Sequence, residues 1–99
     1  LSVMFSASVT AEYTVYGGGG SKSCGFWIAE EEKSSGFYYA MSDWVAGYVT
    51  GVASIGVIVL KKSDNPSRDL FVTNYCNANP LDKVVDAAGA LVMALRVQE

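Results

Sequence analysis

The sequence predicts a mainly α-helical fold: a small disulfide-bridged bundle of about four helices with an N-terminal β-strand arm. Three observations lead there. Apolar residues recur at helical spacing from Lys22 onward, the first sixteen residues alternate with period two, and the chain has two cysteines and no histidine. The organisation reads as a β-patterned arm over 1–16, a glycine joint over 17–21 and a helical domain over 22–99.

In the arm, Leu1, Val3, Phe5, Ala7, Val9, Ala11, Tyr13 and Val15 hold the odd positions, and Ser2, Ser6, Ser8, Thr10, Glu12 and Thr14 hold most of the even ones. Side chains alternate across a strand, so this is the pattern of a strand with one buried face. Sixteen residues is long for one strand, so two shorter strands broken near Ala7 or Ala11 fit equally well. Val9-Thr10-Ala11 also satisfies the small-residue rule of a leader cleavage site, but no charged n-region precedes it and the apolar stretch is poor. The expectation is that the segment is retained. Gly17-Gly18-Gly19-Gly20 then acts as either a flexible joint or a sharp turn.

Ser23 caps a predicted helix over Cys24–Lys33, with Cys24, Trp27 and Ile28 on one side and Glu30, Glu31 and Glu32 on the other. Ser34-Ser35-Gly36 ends it. Met41, Trp44, Val45, Tyr48, Val49 and Val52 follow at i, i+3, i+4, i+7, i+8 and i+11, a helical stripe that starts near Ser42 or Asp43 or already at Phe37-Tyr38-Tyr39. Gly47 and Gly51, four apart, leave a face that another backbone can approach closely. Ile55–Leu60 is β-branched enough for a strand, yet its position also suits a helix end followed by buried loop. Asp64-Asn65-Pro66 starts a third helix carrying Leu70, Phe71, Tyr75 and Cys76. Asn79-Pro80 caps a fourth, with a stripe of Leu81, Val84, Val85, Ala88, Leu91, Val92 and Leu95, Asp82 in its first turn and Arg96 in its last. Trp27, Trp44, Tyr48, Tyr75, Leu81 and Val85 are the expected core.

Composition narrows the function. The net charge is −3, from seven basic and ten acidic residues, and the basic residues are scattered, so a nucleic-acid footprint is not expected. The longest apolar run, Val52 to Leu60, is too short to span a bilayer. Two cysteines without histidine do not make an ordinary zinc site, which needs three or four ligands. A single bridge is the economical reading, and it points to an oxidising compartment, periplasmic or extracellular. A nucleophilic triad has no histidine to use. Glu30-Glu31-Glu32 fans around a helix and reads as a solvated face. The glycine run lacks the Lys-Ser/Thr of a phosphate loop. No enzyme activity, cofactor or metal is expected.

The helical part, about Lys22 to Arg96, resembles the HdeA-type periplasmic proteins and their bacterial and phage relatives. The carriers are Cys24-x-x-Trp27, Trp44-x-x-Gly47-Tyr48-x-x-Gly51, and Asn74-Tyr75-Cys76-x-x-Asn79-Pro80-Leu81 followed by the Ala87-Ala88 helix. The resemblance covers about three quarters of the chain and implies a Cys24–Cys76 disulfide between the first helix and the helix ending at Cys76. Its best-known members are acid-stress chaperones that dissociate and loosen at low pH, then hold denatured clients. The β-patterned arm is no part of that family's core.

Two functions follow. In the first, the protein is a structural assembly subunit of a filament, surface layer or virion. Its arm, through Val3, Phe5, Val9, Tyr13 and Val15, pairs with a protein partner, since buried strand backbone demands hydrogen-bond partners. Ile55–Leu60 could supply that partner within the chain, or a neighbouring copy could. In the alternative, the protein is a periplasmic acid-stress holdase, because losing ten carboxylate charges moves the net charge from −3 to about +7, a self-repulsion that loosens packing.

Overall fold

The computed structural model describes residues 15–97. They form four helices, α1 (Cys24–Lys33), α2 (Gly36–Ile55), α3 (Asn65–Ala78) and α4 (Val84–Leu95), preceded by one 3-10 turn at Gly19–Ser21. The expected arm contacts Val3, Phe5, Val9 and Tyr13 lie outside the described residues, while Val15 is half-buried.

Local chemistry sets the helix ends. The Ser23 hydroxyl accepts the Phe26 amide at 3.0 Å, and the Ser35 hydroxyl accepts that of Tyr38 at 3.2 Å. The Asp64 carboxylate takes the Ser67 amide at 2.9 Å, with Pro66 in the first turn of α3 where its missing N–H costs nothing. At α4 the roles reverse, because the Lys83 amide donates to the Asp86 carboxylate at 2.9 Å. Left-handed backbone closes α1 at Ser34 and α2 at Gly56. α2 therefore begins at Gly36, at the earlier of its two expected starts. The α4 start differs from expectation. Asn79-Pro80 is the entry to a turn rather than a cap, with the Asp82 amide donating to the Asn79 carbonyl at 3.0 Å. Leu81 sits on that turn, 95 % exposed, and is not a core residue.

The core gathers one face of every helix: Cys24 and Trp27, Met41 and Val45, Val72 and Cys76, and Val84, Ala87, Ala88 and Leu91. Each large apolar side chain taken out of water here contributes roughly 1.5–3 kcal/mol. Cys24 and Cys76 are bonded, Cα atoms 4.8 Å apart, which ties α1 to α3. Of the expected core residues, Trp27 and Val85 are buried, Trp44, Tyr48 and Tyr75 pack half-buried against the cluster, and Trp44 stacks on Tyr48 with centroids 5.4 Å apart.

Among the described residues β structure is confined to two isolated antiparallel bridges, Ser23–Lys83 and Leu60–Arg96. The first joins the start of α1 to the start of α4, with Cys24 N–H on the Asp82 carbonyl at 2.8 Å and Val84 N–H on the Lys22 carbonyl at 2.9 Å. The second lies at the far end of α4, with Lys61 N–H on the Leu95 carbonyl at 2.7 Å and Val97 N–H on the Val59 carbonyl at 2.9 Å.

The glycine run takes the turn of its two expected forms. Gly17 and Gly18 have φ of 88° and 73°, and Gly19 lies so close to α2 that a Cβ there would stand 2.7 Å from the Met41 Cα. Gly20 is buried beneath the Trp44 ring. The Gly47/Gly51 face behaves differently from expectation. Both residues are exposed, and no described atom comes within 4 Å of a Cβ built on either.

Candidate interaction surface

Polar side chains join the helices at three points. The Trp27 indole N–H donates to the Thr73 hydroxyl at 2.9 Å, and that hydroxyl donates to the Glu31 carboxylate at 2.9 Å, which links α1 to α3. The Asp69 carboxylate on α3 accepts from Ser42 at 2.7 Å and from Tyr38 at 3.2 Å, both on α2. Glu30 accepts from Ser35 at 2.7 Å and from Lys33 at 3.1 Å, which fixes the corner between α1 and α2. The three glutamates are thus not a uniform solvated face: Glu30 is buried, Glu31 half-buried and Glu32 exposed.

These contacts move acidities. The Ser35 hydrogen bond, then that of Lys33, holds the Glu30 carboxyl below its ordinary range. The Ser67 side-chain and amide contacts do the same for Asp64. Burial, then the nearby Asp69 carboxylate, pushes the Tyr38 phenol up to about 12. Tyr75 is also raised to about 12, first by its hydrogen bond to Asp82 and then by burial. A phenol next to an anion resists becoming a second anion. Sequence reasoning missed Asp69, Thr73 and Ser42 because their partners lie 27–46 residues away. No local pattern announces such a bond. Ser35 did carry a signal, since a serine ahead of an apolar helical stripe is a capping residue.

Each of these polar groups is spent on holding helices together. Among the described residues no group of three or more His, Cys, Asp or Glu side chains is placed to hold a metal ion, and no helix is long and apolar enough to cross a membrane. The surface also exposes large apolar side chains.

Two such regions stand out. One is a cleft of about 300 Å³ between the glycine turn and the helices, walled by Phe26, Phe37 and Met41. The Lys22 ammonium lies 5.4 Å from the Phe26 ring centre, and Phe37 meets Phe26 edge to face at 5.8 Å. The other is the segment after α2. Ile55, Val57 and Val59 are 70 %, 80 % and 64 % exposed, and Val97 across the bridge is 39 % exposed. Ile58 and Leu60, on alternate positions, are half-buried. Of the two expected forms, Ile55–Leu60 takes the helix end followed by loop: Ile55 closes α2, Gly56 caps it in left-handed backbone, and the chain bends at Val57 and Ile58, but the loop turns its valines to solvent instead of being buried.

No protein-family model matches the chain, and no curated protein or solved structure is detectably similar to it.

Proposed function

We propose that this is a non-enzymatic protein of an oxidising compartment, periplasmic or extracellular, that works through protein–protein contacts. It serves as a structural subunit of a filament, surface layer or virion, with its amino-terminal segment pairing as a strand with a neighbouring copy. One observation carries this reading. Residues 1–16 have the alternation of a one-faced strand, while the described residues form a helical domain whose β structure is two isolated bridges. A strand needs hydrogen-bond partners along its whole length, and this domain holds no sheet among its described residues to supply them. The disulfide and the exposed valines support the same reading.

The test is the solution mass of the oxidised protein by light scattering, full chain beside a version lacking residues 1–14. The cut spares the glycine turn, because Gly20 packs against Trp44. Ordered species larger than a dimer from the full chain alone support the reading, and monomers or dimers from both refute it.

The second reading, an acid-stress holdase of HdeA type, is favoured by one feature. Glu30, held ionised by Ser35 and Lys33, sits at the corner joining α1 to α2, so its protonation loosens that corner while the net charge swings positive. Suppression of client aggregation below the carboxylate range, absent at neutral pH, is the supporting result.

A further inference from the structure

We propose that the bend closing α2 and the chain paired with it, residues 55–62 and 93–97, dock as one patch on an anionic lipid bilayer. The apolar tip enters the headgroup region, and the cations around it meet the lipid phosphates. This is a second use of the exposed valines beside the assembly reading, and it does not need that reading to hold.

The fold collects what the sequence scatters. Gly56, in left-handed backbone, ends α2, and the chain bends at Val57 and Ile58. The Lys61 amide then donates to the Leu95 carbonyl at 2.7 Å, and the Val97 amide to the Val59 carbonyl at 2.9 Å. These bonds bring Lys61, Lys62 and Arg96, three of the seven basic residues, together at the carboxyl end of α4. All three are exposed, and none has an ion-pair partner among the described residues. Residues 55–62 and 93–97 contain no Asp or Glu. Asp64, just beyond them, is committed to the Ser67 amide at the cap of α3.

Apolar side chains stand in the same place. Ile55, Val57, Val59 and Val97 are joined there by Met93, 60 % exposed in the last turn of α4. Exposed apolar groups rimmed by polar ones mark contact surfaces. The partner follows from finding both kinds of group together, because firm attachment to a bilayer takes an apolar anchor and a basic patch at once. Side chains projecting from a bend also need a partner that yields around them, and acyl chains do so without a matched pocket. A second copy meeting this patch face to face would set like charges against each other, which is repulsive. The chain as a whole is acidic at −3, so an anionic surface repels the rest of the molecule and attracts this end.

Cosedimentation of the oxidised full chain with vesicles at low ionic strength tests this. One set holds equal parts phosphatidylglycerol and phosphatidylcholine, and the other holds phosphatidylcholine alone. The expected result is binding to the anionic set, released by salt, and far weaker binding to the neutral set. K61Q/K62Q should bind about 25-fold more weakly, taking about fivefold for each cation at the surface. V57S/V59S keeps the charge and should lose about tenfold or more, as apolar area stays in water. Both variants should keep the helical circular dichroism of the parent. Equal binding to both vesicle sets, or none to either, overturns the proposal. If K61Q/K62Q binds like the parent, the contact lies elsewhere and the proposal falls. If V57S/V59S binds like the parent, the cations alone recognise a polyanion such as an acidic protein, and the bilayer is not the partner. The assembly reading is tested by solution mass without vesicles, so each can fail alone.

Discussion

At Gly20 there is no room for a side chain. A methyl group there meets the six-membered ring of Trp44, which is itself stacked on Tyr48. Gly20→Ala therefore costs about 1–3 kcal/mol, the usual range for forcing an extra carbon into a packed site. Gly47, inside α2 with no described atom within 4 Å of an added Cβ, is the opposite case. Gly47→Ala raises stability by about 0.5–1 kcal/mol, because alanine loses less backbone freedom in a helix. Urea unfolding of the two variants beside the parent checks both signs. Cys76→Ser removes a bridge that links residues 52 apart, and in the chain-entropy model the loss is about 4 kcal/mol. An unchanged melting temperature in reductant would contradict it.

The elements are joined by ionisable groups, so their junctions respond to pH in two directions. Glu30 and Asp64 are held below the ordinary carboxylate range, so what they stabilise is present above about pH 4 and is lost as pH falls through their lower folded values. Glu30→Gln should lower the melting temperature at neutral pH, with the gap from the parent closing in acid. Tyr38 and Tyr75 shift the other way. Their folded values of about 12 exceed the unfolded value near 10, so their contribution is complete below pH 10 and is lost as pH climbs through 12. A tyrosinate absorbance titration should show a late phase that Tyr38→Phe and Tyr75→Phe each reduce. Helix existence was legible because caps and apolar period agree at Ser23 and Asp64, whereas Ser35, read only as part of the break after α1, proves to be the cap of α2. The start of α4 was not, because Asn-Pro has the chemistry of a helix entry as well as of a turn. The choice here was made by the Ser23–Lys83 bridge, a contact across sixty residues of chain. Leu81 was lost from the core for the same reason.

At the scale of the whole molecule, the bundle and its disulfide were readable from two cysteines and a change of period. The surface was not. Sequence shows that Ile55–Leu60 is apolar, but only the fold shows that Ile55, Val57 and Val59 face outward, because exposure depends on how α2 ends and where residues 95–97 arrive. The domain from Val15 onward has its own core and staple, so removing residues 1–14 should leave its melting temperature and helical circular dichroism unchanged while altering its solution mass.

The Cys24–Cys76 bond also sets how the protein carries tension. A pull applied at residues 15 and 97 passes directly from Cys24 to Cys76, so the 52 residue steps between them, including all of α2 and most of α3, are bypassed by the force. Stretching the oxidised chain extends only the two flanks. In reductant the same molecule should lengthen by an additional 180 Å or so, at about 3.3–3.6 Å per residue. In an oxidising environment the protein is a short tether with its centre locked away from mechanical load.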